Sequence, residues 1–302
     1  MNRQRFRKSW KWLIGVLVFA GMLLLMDSCM QFRMSQTEID TYFAKKEKKG
    51  ILHAYPVGKN RIINYLKVGD ENLPLVIFVH GSPGSLSAFI DFMADTALLK
   101  RAQLITVDRP GFGASNFGYA EPSLEKQAAY LKPILEENKN HRPIILVGHS
   151  LGGPIIARMA MDYAELVDGL VIVAGSIDPE LEPNETWFRA PLATPFLKWI
   201  LPRSFRASND ELYKLKPELI KMLPLWNTIS CRVIVIQGKK DSLVPAENAD
   251  FAKKMLSHAS SLEFMIKEDM NHFVPWSNPG LIRSAILKLL DQAKLPSSSS
   301  SK

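Results

Sequence analysis

The chain has only two cysteines, Cys29 and Cys231, in 302 residues, which excludes a disulfide framework. Patterns that mark metal and nucleotide chemistry are also missing. There is no H-E-x-x-H, no C-x-x-C, no P-loop and no G-x-G-x-x-G in a strand-to-helix setting. The "GFG" at 111–113 lacks the trailing glycine of a dinucleotide loop. No metal and no other cofactor is expected. A basic motif interleaved with aromatics is absent too, so nucleic acid is not an expected partner. The formal charge is +8, but Arg3, Arg5, Arg7, Lys8 and Lys11 all precede residue 12. With those five and Asp27 set aside, the surplus falls to +4. Cys231 opens the strand-like "CRVIVIQG" and reads as a small buried hydrophobe.

What the chain does have is apolar sequence in two arrangements. The first is one continuous run at 13–26, "LIGVLVFAGMLLLM", behind the basic cluster and between Trp10, Trp12 and Asp27-Ser28-Cys29. Its length suits a signal-peptide core and is short for a spanning helix. A small residue before Cys29 resembles a bacterial lipoprotein processing site, which would leave Cys29 as a lipidated first residue. Met26 and Asp27 depart from the usual form of that site. The other reading is an uncleaved signal anchor, with the cations and tryptophans at the cytoplasmic interface. Both readings tether the body to a membrane on its extracytoplasmic side, in a bacterial cell envelope. A cytosolic protein with an apolar tail is the remaining alternative. Residues 1–29 are thus a signal peptide or anchor, and 30–54 form a polar connector. "SQTE" at 35–38 has the form of a capping box that starts a short helix. The "PSSSSSK" at 296–302 is a disordered tail by composition.

The second arrangement is a rhythm. Seven apolar or β-branched runs, at 61–68, 73–80, 103–108, 143–148, 169–175, 232–238 and 262–267, alternate with helix-like stretches at 85–100, 123–138, 152–164, 246–257 and 279–293. Several runs are apolar at nearly every position, as strands buried on both faces are. The pattern predicts an α/β class with a mostly parallel, doubly wound sheet. Ligands in such sheets sit at the carboxyl ends of the strands. Between 175 and 232 no core strand occurs, but tryptophan, phenylalanine and proline are frequent. A structureless loop of that length is implausible, so a helical cap is expected at about 177–229.

The candidate chemistry falls at the strand ends. "GHSLG" at 148–152 fits G-x-S-x-G between a strand and a helix, a turn that lifts a serine hydroxyl, here Ser150, above the sheet edge. A serine needs a base. His141 lies before a strand, His149 inside the turn, His258 in a loop and His53 ahead of the sheet. His272, in "DMNHFVPW", is the one beyond the final strand. The carboxylate that fixes its tautomer is assigned to Asp241 in "KKDSLVP", with Asp178 in "GSIDPE" as the competitor. Oxyanion donors are expected from the backbone N–H groups of Leu151 and of Ser82 in "HGSPG". Each of these has a plainer reading: a capping serine, a loop imidazole, a turn aspartate, a Pro-Gly turn.

"HGSPG", "DRPGFGAS" at 108–115, "GHSLGG", "GKKDSLVP" and "NHFVPW" together resemble the α/β-hydrolase superfamily over about 55–295, closest to its capped esterase, lipase and haloperoxidase-like branch. The resemblance implies the α/β-hydrolase fold and a serine hydrolase with a Ser-His-Asp triad, acting on a small-molecule ester or acyl substrate. The aromatic residues of the expected cap suggest that this substrate is apolar, or else they form the cap's own core. "DRPGFG" would shape the sheet edge without a chemical step. Ser150 disfavours the dehalogenase and epoxide hydrolase relatives, which use an aspartate at that turn. One departure is the glycine-free segment before His272, where Asp269 is a possible rival for the imidazole. Acyl transfer or C–C bond hydrolysis on the same triad are alternatives. A tethered, non-catalytic binding protein is the alternative of another class.

Overall fold

The computed structural model describes residues 3–138 and 142–293. The 296–302 tail and His141 lie outside them. Eight strands form one sheet: β1 Ile51–Val57, β2 Arg61–Val68, β3 Leu75–Val79, β4 Gln103–Asp108, β5 Ile144–His149, β6 Gly169–Val173, β7 Arg232–Gly238 and β8 Ser261–Lys267. Their order is β1-β2-β4-β3-β5-β6-β7-β8. From β4 to β8 every pairing is parallel, and β1 and β2 form an antiparallel edge. This is the α/β-hydrolase fold.

The unbroken apolar runs have a simple cause. β3, β4, β5 and β6 are buried at every position, since helices cover both faces. One face packs on α5 (Leu124–Glu136), α6 (Gly152–Asp162) and α9 (Asn248–Met255) through residues such as Leu131, Ile155 and Ala252. The other packs on α2 (Gln36–Lys45), on the short turns α3 (Ile90–Met93) and α4 (Thr96–Leu99), and on α11 (Pro279–Ala293), through Phe43, Phe92, Leu98 and Ile286. Each fully buried side chain of this kind contributes roughly 1.5–3 kcal/mol.

Three expectations are modified. β1 begins inside the stretch expected to be a polar connector, at Ile51, and runs past its end at 54. It is an edge strand whose residues are mostly exposed or half-buried, so it shows none of the apolar continuity that marks the interior strands. The single helix expected at 85–100 is three short turns, with Ser85 and Asp95 each accepting backbone N–H groups as new N-caps. The apolar run at 13–26 lies within a longer helix, α1 (Arg3–Cys29). Its Trp12–Cys29 portion is long and apolar enough to cross a membrane and is not buried against the body.

The capping box at Ser35 and Glu38 is present. Between β6 and β7 the chain forms α7 (Thr186–Leu192), a 3-10 turn at Lys198–Ile200, α8 (Arg203–Met222) and a second 3-10 turn at Leu223–Thr228. Leu215, Leu219, Met222 and Trp226 anchor this segment to the core. α10 (Val274–Ser277) follows the last strand.

Because β4 and β5 lie on opposite sides of β3, the chain reverses its winding direction there. The crevice left at the carboxyl ends of β3 and β5 is where ligands bind in such sheets.

Candidate active site

Val79 pairs with Gly148 in the sheet, so the loop after β3 and the turn after β5 leave it side by side. Ser150 occupies that turn with φ +54°, a left-handed conformation uncommon for a residue with a side chain. The surroundings enforce it. The Ser150 N–H donates to Val173 O at 2.9 Å, and Ser150 O accepts the Gly153 N–H at 2.9 Å. A Cβ on Gly148 would lie 2.3 Å from Gly152 O, and one on Gly152 would lie 2.2 Å from Val79 O. The glycines of "GHSLGG" are therefore what lets β5, α6 and β3 meet closely enough to hold the serine in this conformation. Leu151 stands at the N-cap of α6 with φ −61°, where the first helical N–H groups have no intrahelical acceptor.

His272 and Asp241 come from the loops after β8 and β7. His272 Nδ1 donates to Asp241 Oδ2 at 2.8 Å, with both residues nearly enclosed. Asp241 Oδ1 accepts the N–H groups of Leu243 and Val244 at 2.9 and 2.8 Å. Burial pushes the Asp241 pKa upward, but His272 and these two N–H groups outweigh it and hold the carboxyl below its ordinary range. Asp178 is engaged elsewhere: its carboxylate accepts the Glu180 N–H in a turn, and its own N–H donates to Asn248. The His272 ring bonds Asp241 and not Asp269. Ser150 and His272 line one cavity. Among the described residues no hydrogen bond joins their side chains, a contact that commonly tightens only when substrate is bound.

Several neighbours were not legible as site residues. His149, the variable position of the turn, is buried and its Nε2 donates to His272 O at 2.9 Å. Burial, and then the nearby His272, lower its pKa to about 4, so it is a neutral donor at physiological pH. It fixes the backbone that presents His272. Gln237 of β7 reaches Asp241 Oδ2 at 3.4 Å.

Arg109, from "DRPGFG", lies entirely within the protein. It forms a two-pronged ion pair with Glu211 of α8 at 2.6 and 3.1 Å. The same guanidinium donates to His80 O and Gly81 O, both at 2.9 Å. Glu211 Oε2 accepts the Ser82 hydroxyl at 2.8 Å, and Glu211 Oε1 accepts Gln127 Nε2 at 2.9 Å. His80, held neutral by burial and by Arg109, accepts the Arg109 N–H through Nε2 at 3.1 Å. The loop that offers Ser82 is thus clamped by one buried cation and one buried anion. Glu211 had no signal beyond being a charge in an amphipathic helix.

The shared cavity holds about 580 Å³ and is walled by Phe32, Pro83, Phe205, Leu243, Phe273 and Trp276 beside Ser150 and His272. A larger hollow of about 840 Å³ lies under residues 28–39. It contains none of the Ser150, His272 or Asp241 side chains. Cys29 is the exposed last residue of α1, and Cys231 is a half-buried free thiol whose pKa burial pushes up to about 12. Among the described residues no cluster of three or more His, Cys, Asp or Glu side chains could hold a metal.

Comparison with known proteins agrees with this architecture. The family profile described as the alpha/beta hydrolase fold matches residues 74–206. A 1-acylglycerol-3-phosphate O-acyltransferase of Arabidopsis thaliana is 31% identical over 141 residues, 44% of this chain and 33% of the relative. The chain spans about a third of the length of several curated relatives that it matches. A provisionally assigned lipase of Acinetobacter baumannii AYE superposes with TM-score 0.64 at 18% identity, covering 86% of this chain and 98% of that one. A membrane phospholipase A described as a bacterial virulence factor superposes with TM-score 0.62 at 18% identity, covering 96% and 99%.

Proposed function

We propose that the chain, whose residues 74–206 match the alpha/beta hydrolase fold family model, is an enzyme of that superfamily and cleaves a carboxylic ester through an acyl-enzyme. Ser150 Oγ attacks the carbonyl carbon as His272 Nε2 takes the hydroxyl proton. Asp241 holds Nδ1–H and stabilises the imidazolium that forms. The backbone N–H groups of Leu151 and Ser82 receive the oxyanion. His272 then returns the proton to the leaving alcohol, and the same imidazole activates the water that releases the acid. The observation that carries this reading is the buried Asp241–His272 hydrogen bond at 2.8 Å, placed on a cavity shared with a serine at φ +54°.

The ring-rich walls favour an apolar acyl or aryl group. The N-terminal helix favours a membrane tether, with the basic cluster kept on the cytoplasmic side and the catalytic body on the other. The uncleaved anchor fits better than lipid attachment at Cys29. Asp27, which processing would remove, is bonded to Arg203 at 2.6 and 2.8 Å. An intact N-terminus by mass spectrometry is expected, and a mature chain beginning at a lipidated Cys29 would reject this. Acyl transfer is the second reading, favoured by the plant acyltransferase among the relatives. It shares the acyl-enzyme and differs only in whether an alcohol or water receives the acyl group, which product analysis with added alcohol separates.

Labelling by a fluorophosphonate probe should occur in the native chain and vanish in Ser150→Ala. With p-nitrophenyl esters, Asp241→Asn should lower kcat by about 10⁴-fold, while Asp178→Asn leaves it within a few-fold of native. Normal turnover in Asp241→Asn with loss in Asp178→Asn would overturn the assignment of the acid.

A further inference from the structure

The first two turns of α8 are where three parts of the molecule meet. Arg203 binds Asp27, two residues before the end of α1, through its backbone N–H and its guanidinium. The Ser204 hydroxyl donates to Met30 O just beyond that helix. Phe205 packs edge-on against Phe32 with ring centroids 5.6 Å apart, and both rings line the cavity that holds Ser150. Phe32 is three residues past Cys29, so the cavity wall lies within about 10 Å of chain from the end of the apolar helix.

The third part is the stretch 186–200, "TWFRAPLATPFLKWI", which contains Arg189 and Lys198 and no acidic residue. α8 holds it in place. Arg206 donates to Lys198 O and Leu201 O and stacks 4.1 Å from the Trp199 ring. Asn209 donates to Arg189 O at 3.1 Å. Neither α7 nor the following 3-10 turn has a buried residue. Trp187 is 79% exposed, Phe196 90% and Trp199 55%, with Ile200 and Leu197 also open. Water is a poor partner for so many large apolar side chains in so short a stretch. Arg189 is paired with Glu185 just before the stretch, which leaves Lys198 beside the exposed rings, and aromatic side chains next to a cation are the composition of a surface that lies in the headgroup region of a bilayer.

We propose that residues 187–200 form a membrane-contact surface that rests on the same bilayer Trp12–Cys29 enters. The mouth of the Ser150 cavity then lies at headgroup level, and the ester it receives is an acyl ester of a membrane lipid. This rests on the hydrolase and anchor readings above. The occupant follows from continuity: the span, the aromatic stretch and the cavity wall are joined through Arg203, Arg206 and Phe205 of one helix.

The test uses the full chain reconstituted in phosphatidylcholine vesicles doped with phosphatidylglycerol, with two substrates: the vesicle lipid and soluble p-nitrophenyl butyrate. The triple variant Trp187→Ser, Phe196→Ser, Trp199→Ser should release fatty acid from vesicle lipid at least roughly tenfold more slowly. It should hydrolyse the soluble ester at the native rate, since none of the three lines the cavity. Equal lipid hydrolysis by native and variant chains would overturn the proposal. A second measurement is independent of turnover. A nitrobenzoxadiazole dye on Phe196→Cys, in a Cys29→Ser background, should shift to the blue on reconstitution and be quenched by brominated lipid. A dye that stays in water sinks the membrane surface even if esterase activity is present. If the dye is quenched but neither substrate is turned over, the hydrolase reading has failed and the surface stands.

Discussion

The turn that carries Ser150 and the helical segment inserted between β6 and β7 are built from opposite materials. The turn is made of main chain. Gly148, Gly152 and Gly153 are fully enclosed, and for each the nearest obstacle to a side chain is backbone of a neighbouring residue. The inserted segment meets the site through charge: a carboxylate on α8 and a guanidinium from the loop after β4, both out of contact with water. Steric fit tolerates no added atom but is indifferent to protons and salt. An ion pair tolerates small changes of shape but not the loss of one partner. The two regions should therefore fail under different substitutions.

The sharpest test is Glu211→Gln, which keeps the shape and removes the charge. It leaves Arg109 buried without its counter-ion, a change that typically destabilises by about 3–5 kcal/mol. Denaturant unfolding should show this loss, and kcat for a soluble ester should fall with it, because an amide has one acceptor oxygen where the carboxylate has two and cannot accept from both Arg109 and the Ser82 hydroxyl as the native side chain does. Added salt should not rescue it, since screening does not reach a buried pair. If Glu211→Gln unfolds like the native chain, the segment is not held by charge and the contrast collapses.

Gly152→Ala comes next. It places a carbon 2.2 Å from Val79 O, and overpacking of this kind typically destabilises by about 1–3 kcal/mol. Its signature should be a loss of fluorophosphonate labelling out of proportion to the loss of stability, because the displaced strand end is the one beside Ser150.

The mildest change is Asp108→Asn. Asp108 accepts the N–H groups of Leu86 and Ala114 at 2.7 and 2.8 Å, and burial pushes its pKa up to about 6. A carboxyl with a raised folded-state pKa contributes most when protonated in both states and loses that contribution as the pH rises through about 6. The variant should trail the native chain by about 1 kcal/mol near neutrality, and the gap should widen as the pH falls from about 6 to about 4. A gap independent of pH would mean that Asp108 does not titrate there.

The same contrast explains what could be read in advance. Interior strands such as β3 and β5 announce themselves because burial on both faces leaves no room for polar residues. β1 does not, because an edge strand with one poorly covered face need not be apolar. The Ser150 turn was legible because its glycines are demanded by backbone contacts a few residues apart. The pairing of Asp241 with His272 was legible only as a position after a strand, with Asp178 equally placed. The deciding fact is the reach of a loop. Arg109 and Glu211 are 102 residues apart, and nothing in either local pattern points to the other. His149 was passed over because its place in the turn is free to vary, yet its ring secures the loop that carries His272.

The shared use of Glu211 bears on how a substrate gets in. One carboxylate is bonded at once to the loop beneath α8 and to the guanidinium that braces that loop. Lifting the helix away would strand opposite charges in an apolar interior. A hinged lid is thus the wrong image for this segment. Phe273 and Trp276 line the cavity and are half exposed, so rotation of these rings widens the entrance at less cost than movement of the helix, and a doorway of that kind sorts molecules by cross-section more than by length.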